Sequence, residues 1–359
     1  MSVMEQSGWA SFPRAAGVAD ATSRKQVAAW LFACCGLVFA MVVLGGVTRL
    51  THSGLSITEW QPIVGTLPPL AEAAWQEAFA KYQQTPEFQQ VNRHMTLAEF
   101  KPIFWMEWAH RLLGRLIGVA FFVPFLYFLL RRKLDWTLGW QLAGIFVLGA
   151  LQGAMGWYMV KSGLVEDPRV SQFRLTAHLG IAFLIYGLMF WVGLGFVRPR
   201  AAIHDARLAR LRRFSSALVA LIFLMVLTGG FVAGIRAGFA YNTFPLMNGH
   251  VVPPEVLLLE PWWLNFFSNM ATVQFAHRLL AWVLAFLVPW FWLKSGQASL
   301  SVAARLASHA LLAALALQVT LGIATLLLVV PIGLAAAHQA GSMVLFSAAL
   351  WVAHELRRA

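Results

Sequence analysis

The chain contains eight apolar segments that are each long enough to cross a lipid bilayer. A membrane-spanning helix needs about 20 predominantly apolar residues, because every backbone polar group must find its partner inside the helix. Hydrophobic residues make up 59% of the 359 residues and charged residues only 12%, which excludes an ordinary soluble protein. The sequence predicts an all-α integral membrane protein with transmembrane helices at 27–47, 103–130, 140–160, 173–197, 214–234, 270–293, 308–330 and 333–355.

The charged residues between these segments predict how the chain is oriented. Segments on one side of the membrane carry most of the Lys and Arg residues, and the loops on the other side carry most of the acidic residues. Connections rich in Lys and Arg remain in the cytoplasm. We therefore expect a bacterial inner-membrane protein with both termini in the cytoplasm and a large outer loop at 48–102. Membrane topology explains the net charge of +12, and no nucleic-acid partner is expected.

The two halves of the sequence repeat each other. Since each half has four apolar segments, both halves have the same orientation in the membrane. We expect two four-helix bundles related by a pseudo-twofold axis, at 27–197 and 214–359, with a basic cytoplasmic linker at 198–213 and a cytoplasmic tail at 1–26. The repeat is carried by four matches in the same order: Gly45-Gly46 with Gly229-Gly230, AHRLL at 109–113 with AHRLL at 276–280, LQGAMG at 151–156 with LQVTLG at 317–322, and TAHLGIAF at 176–183 with AAHQAGSM at 336–343.

Each even-numbered apolar segment carries one histidine at a matched position, and the four are His110, His178, His277 and His338. At about 1.5 Å per residue, each lies roughly 25–32 Å from the first basic residue at the cytoplasmic end of its helix. This depth is close to the outer face of a hydrocarbon core of about 30 Å. Ionisable groups inside a membrane are costly and usually functional. Two histidines at one depth on two helices of one bundle suit an iron porphyrin with two axial imidazoles.

A membrane protein with two such sites has two interpretations that the residues alone leave open. One is an electron-transfer cytochrome with two bis-histidine b-type haems. The other is an enzyme in which one haem is a cofactor and the other bundle binds a porphyrin substrate. The informative difference between the halves is Glu107, three residues before His110, where the second copy has Gln274. A carboxylate there can accept a proton or stabilise positive charge, or it can simply pair with Arg111 or Arg49.

Four motifs resemble the haem A synthases of the CtaA/Cox15 type. They are GGVTRLTHSGLSITEWQPIVGTLPP at 45–69, EFKPIFWMEWAHRLLGRLIG at 99–118, GGFVAGIRAGFAYNTFPLMNG at 229–249 and VQFAHRLLAW at 273–282. The resemblance covers essentially the whole chain from about residue 27. It implies oxidation of the C8 methyl group of haem O to the formyl group of haem A through an alcohol, for terminal oxidase biogenesis. The loop at 48–102 contains no cysteine, so the chain resembles the branch of the family that lacks a cysteine pair there.

The resemblance also implies roles for single residues. Glu107 matches the catalytic carboxylate of the family. His110 and His178 match the axial ligands of the substrate haem, which is haem O and then haem A. His277 and His338 match the axial ligands of one haem b cofactor in the second half.

Four arginines are candidates to bind haem propionates, because the guanidinium fork matches a carboxylate: Arg49, Arg111, Arg236 and Arg278. The alternative for each is an interfacial charge that extends to water. The expected partners are haem O, the upstream haem O synthase (protohaem farnesyltransferase), an unidentified electron-transfer partner and the lipid bilayer. The sequence is also compatible with a homo-oligomer.

Overall fold

A computed structural model describes residues 18, 20–61, 63–164, 168, 170–198 and 206–358. Eight of its helices are long and apolar enough to cross a membrane, which confirms the prediction of an all-α, multi-pass membrane protein. These eight are α1, α4, α5, α6, α7, α9, α10 and α11. The helices of the described residues are α1 (Ala21–Leu50), α2 (Glu72–Gln83), α3 (Pro86–Gln90), α4 (Leu97–Leu130), α5 (Trp136–Gly163), α6 (Gln172–Val197), α7 (Ala206–Gly234), α8 (Asn265–Ser268), α9 (Met270–Gly296), α10 (Val302–Leu327) and α11 (Ile332–Arg358).

Several helices begin before their predicted spans, and polar caps explain the starts of α1 and α4. The Asp20 carboxylate accepts a hydrogen bond of 2.9 Å from the Ser23 backbone N–H, so α1 begins at Ala21. Thr96 and Glu99 form a capping box at the start of α4, with the Glu99 carboxylate 2.8 Å from the Thr96 backbone nitrogen. Such caps satisfy backbone N–H groups that have no partner within the helix. As a result, α4 extends beyond the predicted span.

The predicted seventh span, 308–330, is shifted relative to α10. Its last two residues, Val329 and Val330, have φ values of 59° and 58°. A β-branched residue in this left-handed region cannot continue a helix, so α10 ends at Leu327. Of the predicted tail and linker, residues 1–17, 19 and 199–205 lie outside the described residues, while residues 21–26 belong to α1 and residues 206–213 to α7.

The eight long helices form two rings of four. In the first ring, α1 contacts α4 and α6, and α5 contacts the same two helices. In the second ring, α7 contacts α9 and α11, and α10 contacts the same two helices. The rings meet where α1 contacts α11, α6 contacts α7 and α6 contacts α11. This order fits two four-helix bundles related by a twofold axis, because each contact in one ring has its counterpart in the other.

Two contacts between the rings join residues at equivalent positions of the repeat. The Arg236 guanidinium donates to Nδ1 of His52 over 3.2 Å, and the Arg49 guanidinium donates to the Ala233 carbonyl. Both pairs are 184 residues apart, as are the matched glycine pairs in the sequence. Residues near a twofold axis meet their own equivalents, so these contacts fit an axis that passes between the ends of α1 and α7.

Residues 51–61 and 63–96, between α1 and α4, fold onto the outward extension of α4, and we call them the loop module. Lys81 forms ion pairs of 2.8 Å with both Glu59 and Glu77. The module contains α2 and α3, and its position beside α4 places it over the end of the first ring that carries His110. Its small aromatic core consists of Trp75 and Tyr82 from α2 with Phe100 and Phe104 from α4.

Candidate functional site

The four repeated histidines lie at the same end of the rings, on the side of the loop module. His178, His277 and His338 follow the first residue of their helices by six or seven positions, which is about 10 Å along a helix axis. His110 follows the start of α4 by 13 positions because that helix extends into the loop module. The predicted common depth of the histidines agrees with these positions.

The histidines form one pair in each ring, carried by helices at opposite corners. His110 on α4 faces His178 on α6, and His277 on α9 faces His338 on α11. The two imidazoles of each pair are near enough to interact electrostatically. Nδ1 of His178 and Nδ1 of His338 are buried without a hydrogen-bond partner in the described part of the chain. Buried polar atoms without partners are rare in proteins and call for an explanation.

Each of these imidazoles lies against a glycine of a neighbouring helix. A side chain at any of the four glycines would press on an imidazole. The glycines therefore leave space for the imidazoles and allow close packing against them. Each ring has two histidines beside glycines, and one of the two has a buried Nδ1 without a partner; this arrangement fits an iron porphyrin bound between two imidazoles. A Cβ atom would lie 3.1 Å from His110 Nε2 at Gly45, 3.1 Å from His178 Cε1 at Gly156, 3.3 Å from His277 Cε1 at Gly229 and 2.8 Å from His338 Cε1 at Gly322.

The first ring encloses a cavity of about 1450 Å³. It is larger than the roughly 300–1,000 Å³ of ordinary small-molecule pockets. His110, His178 and Glu107 all line it, and it extends between α4 and α5 as far as Phe121 and Phe146. The cavity therefore brings together three of the residues that the sequence predicts for a substrate site.

Between α4 and α5 the cavity is lined by Gly118, Gly149 and Gly153, which we call the glycine slot. No atom lies within 4 Å of the place where a Cβ would stand at any of them. The slot is therefore open space that larger side chains would fill. At the equivalent positions of the repeat, the second ring has Ala285, Leu315 and Val319, and Leu315 is buried.

Glu107 lies in the cavity wall with only 2% of its surface exposed. One carboxylate oxygen accepts hydrogen bonds from the Ser56 hydroxyl at 2.7 Å and from the Ile57 backbone N–H at 2.8 Å. The other accepts from Nε and Nη2 of Arg111 at 3.0 and 2.6 Å. Four donors converge on one side chain, and the charge-assisted ones are strong. The carboxylate is consequently fixed in position, and its pairing with Arg111 is the one that the sequence allowed.

Gln274, the equivalent of Glu107, also accepts from an arginine four residues later but has different partners in its outer loop. Its Nε2 donates to the carbonyl oxygens of Ala237 and Tyr241 at 2.8 and 3.3 Å. Its Oε1 accepts from Arg278 at 3.3 Å. A carboxylate cannot donate to a carbonyl oxygen, so this position requires the amide.

Two of the candidate propionate-binding arginines fasten outer loops to the helices. Arg111 donates to the carbonyls of Ile57 at 2.8 Å and Glu59 at 2.9 Å. Arg278 donates to the carbonyl of Tyr241 at 2.7 Å. Both side chains therefore hold an outer loop close to a histidine pair. Their propionate-binding role remains a prediction.

The other two candidates, Arg49 and Arg236, line the cavity where the two rings meet, together with His52. Burial and the positive charges of both arginines lower the pKa of the His52 imidazole. A low pKa keeps the imidazole neutral, so it can accept the hydrogen bond from Arg236. The two guanidinium groups give this wall a positive charge that suits an anionic group, and propionate binding there also remains a prediction.

Sequence inspection did not single out three residues that the structure places at these sites. Thr228 Oγ1 lies 2.8 Å from Nδ1 of His277, whereas the first half has Leu44 at the equivalent position. The difference is visible in the sequence as TGG against LGG. Ser56 and Glu87 come from the loop module, and both line or support the cavity wall. Their involvement depends on how that module folds, so no local pattern indicates it.

A known family matches nearly the entire chain. The family described as "Cytochrome oxidase assembly protein" (COX15-CtaA) matches residues 28–350. The chain belongs to this family. Among curated members, the "Heme A synthase" of Nitrosospira multiformis is 66% identical over 336 residues, which are 93% of this chain and 94% of the relative. The "Heme A synthase" of Nitrosomonas eutropha is 59% identical over 332 residues, or 92% and 93% of the two chains. That of Parvibaculum lavamentivorans is 49% identical over 332 residues, or 92% and 94%.

Proposed function

We propose that this COX15-CtaA family member is a haem A synthase that oxidises the C8 methyl group of haem O to the formyl group of haem A. Relatives with up to 66% identity are named for this activity. The observation that carries the proposal is the cavity of about 1450 Å³ in the first ring, which contains two histidines and an ion-paired carboxylate. The two rings differ three residues before the AHRLL histidine and in the glycine slot, as expected when the porphyrin in one ring reacts and the porphyrin in the other does not.

In this proposal the first ring binds the substrate. His110 and His178 hold the iron of haem O from two opposite helices. The glycine slot gives room for apolar substituents at the edge of the porphyrin, and the basic wall of Arg49 and Arg236 suits the propionates.

The second ring binds the cofactor. His277 and His338 would hold a haem b, which when bound supplies a one-electron carrier. Thr228 holds Nδ1 of His277, so Nε2 remains available to the iron, and such outer hydrogen bonds orient metal-binding histidines. Leu44 offers no such bond to His110. A permanently bound cofactor benefits from this fixation, whereas a substrate that must leave does not require it.

Glu107 acts on the reacting edge of the substrate. Oxidation of a methyl carbon develops positive charge, which a fixed carboxylate stabilises. Ser56, Ile57 and Arg111 hold this carboxylate before the reaction begins, so it needs no reorganisation during the step. In the second ring, Gln274 has no such charge.

We also propose a bacterial inner-membrane location, with both termini in the cytoplasm and both haem sites near the outer face. The distribution of basic residues supports this orientation. Haem O is supplied by haem O synthase, the expected upstream partner, and the electrons leave to a separate redox partner.

Glu107→Gln tests the proposal, because it makes the first ring resemble the second. Haems are extracted from membranes of a host without its own haem A synthase and are separated by chromatography. We expect haem A to fall about 100-fold or more, as for loss of a preorganised electrostatic group, while haem O or its alcohol accumulates. The haem b of the second ring should keep its bis-histidine spectrum. Glu77→Gln, at an exposed carboxylate of α2, is the control and should leave haem A unchanged.

Two results would contradict the proposal in different ways. Wild-type levels of haem A in the Glu107→Gln variant would refute the role of the carboxylate. A wild-type protein that binds two b haems and makes no haem A would instead support the electron-transfer cytochrome.

A further inference from the structure

A second buried carboxyl group, Glu87, lines the same cavity as Glu107. It lies on α3 of the loop module, and only 6% of its surface is exposed. Its Oε2 atom is buried and has no hydrogen-bond partner within the described residues. A buried carboxylate that lacks a partner is costly, and nothing in the packing of the loop module requires a carboxyl at this position.

The titratable groups that face Glu87 are Tyr82 from α2 and Glu107 from α4. Burial, with a further contribution from the negative charge of Glu107, raises the pKa of the Glu87 carboxyl to about 7. Burial raises the pKa of Tyr82 to about 12, and its hydroxyl accepts a hydrogen bond of 2.7 Å from Asn92. Arg111, a cation of the same cavity wall, is bonded to Glu107. Glu87 is therefore the group of this cluster that changes protonation near neutral pH.

The two carboxyl groups suit different tasks. Glu107 has four donors on its two oxygens, so a proton would have to displace a hydrogen bond or the ion pair with Arg111. Glu87 lines the cavity, and its buried Oε2 accepts no hydrogen bond within the described residues. A proton acceptor works best when its pKa is near the working pH, and Glu87 meets this condition.

The position of Glu87 places it on the loop side of the cavity. It lies on α3, which belongs to the loop module and not to a membrane-spanning helix. The module covers the end of the first ring that carries His110, so a proton bound by Glu87 is held on this side of the substrate cavity.

We propose that Glu87 accepts the protons released during substrate oxidation and passes them to water on the loop side. This inference rests on the proposed function. In the step from alcohol to aldehyde, one C–H and one O–H bond break and a C=O bond forms. Two electrons leave in succession to a one-electron acceptor of the haem class, and two protons are released. The Glu87 carboxylate binds the first proton, releases it to water and then binds the second.

The first experiment compares rates of haem O oxidation by purified protein as a function of pH. Since the acceptor must be deprotonated, the wild-type rate should rise as the pH increases through about 7. In Glu87→Gln this rise should be absent and the rate at pH 8 about 100-fold lower. Glu87→Asp, which keeps a carboxyl, should restore a rise. Glu77→Gln, an exposed carboxylate of the same module, should behave as wild type.

The second experiment needs no turnover. Infrared difference spectra between low and high pH report the C=O stretch of protonated carboxyl groups. The wild-type protein should lose such a band as the pH rises through about 7, Glu87→Gln should lack this band and Glu77→Gln should retain it. The haem b content of each variant shows that it is folded.

The outcomes separate this inference from the proposed function. If Glu87→Gln oxidises haem O at the wild-type rate with the wild-type pH profile, or if no carboxyl band titrates near pH 7, Glu87 is not the acceptor and the synthase function stands. If the wild-type protein itself does not oxidise haem O, the proposed function fails, and the proton-accepting role fails with it even when the band is present.

Discussion

The side chain three residues before the AHRLL histidine accepts hydrogen bonds from its outer loop in the first ring and donates hydrogen bonds to its outer loop in the second. Ser56, Ile57 and Arg111 direct N–H and O–H groups at Glu107. Ala237 and Tyr241 direct carbonyl oxygens at the equivalent amide. The two positions are equivalent in the repeat, and each is followed four residues later by an arginine. The difference in hydrogen-bond partners therefore arises from the loops that cover them.

This difference indicates that the two rings are specialised by the outer loops that cover them as well as by single residues within the helices. Gln274→Glu would place a carboxylate against two carbonyl oxygens, where it repels both. Making the second ring reactive would therefore require a different outer loop and smaller residues at the positions equivalent to the glycine slot. We propose that the shared histidines and glycines provide a site for a porphyrin, and that the loops and the glycine slot determine whether the bound porphyrin reacts.

The largest expected effect comes from removing an axial ligand, because each substitution should abolish porphyrin binding in one ring and leave the other ring unchanged. In His277→Ala the haem b of the second ring should fall about 100-fold or more, since loss of even an outer partner of a metal ligand costs about 10–100-fold in affinity. His110→Ala should retain that haem b and lose haem A formation. Extracted haems and absorption spectra measure both effects.

The control is His309→Ala, at an exposed histidine outside the repeat, and it should change neither haem. If haem b persisted in His277→Ala, the assignment of the cofactor to the second ring would be wrong.

A smaller effect is expected from filling the glycine slot with the residue of the other ring. Gly149→Leu places the equivalent of Leu315 into the first ring, where the absence of neighbours within 4 Å allows the protein to fold. Filling space that a ligand needs costs about 1–3 kcal/mol, which corresponds to about 5- to 150-fold weaker binding. We expect the KM for haem O to rise within this range while the haem b content stays unchanged.

Gly144→Leu is the matched control, because Gly144 lies on the same helix, also has no neighbour within 4 Å and does not line the cavity. An unchanged KM in Gly149→Leu would show that substrate does not occupy the slot.

The smallest expected effect concerns the hydrogen bond that distinguishes His277 from its equivalent, His110. Thr228→Val keeps the shape of the side chain and removes the hydroxyl near Nδ1 of His277. Haem b affinity should fall about tenfold, at the lower end of the range for such outer hydrogen bonds, with a shift in the reduction potential of the haem. Titration of the apoprotein with haem and a potentiometric titration measure the two quantities.

Thr320→Val, whose hydroxyl bonds only to a carbonyl of its own helix, should change neither quantity. Equal effects of both substitutions would mean that helix stability, and not the bond to His277, accounts for the loss.

Much of the fold could be predicted from the sequence because the bilayer imposes a strong rule on length and polarity. The eight spans follow from it, and the placing of four histidines near one end follows from counting residues. The ends of α1 and α4 were predicted less well, since caps such as Asp20 and Thr96 extend helices through polar sequence. The seventh span was shifted because the composition does not reveal the backbone of Val329 and Val330.

At the candidate site, too, some residues could be predicted from the sequence and others could not. Glu107 stands out because the repeat supplies its own comparison in Gln274. Glu87 does not stand out, because 48–102 contains several acidic residues and only the packing of α3 buries this one. Arg111 was named as a possible partner of Glu107, whereas Ser56 and Ile57 were missed, since they belong to a loop whose fold depends on long-range contacts. The roles given to the histidines and arginines remain predictions.

The contact between His52 and Arg236 bears on how such a molecule arises. In a symmetric dimer of either half, this position would meet its own copy, so it would hold two arginines that repel each other or two histidines. A neutral imidazole that accepts from a guanidinium requires two unlike residues, which a fused chain can place at equivalent positions and a homodimer cannot. Covalent joining of the halves thus permits heterogeneity at the centre of symmetry, the place where a homodimer is most constrained.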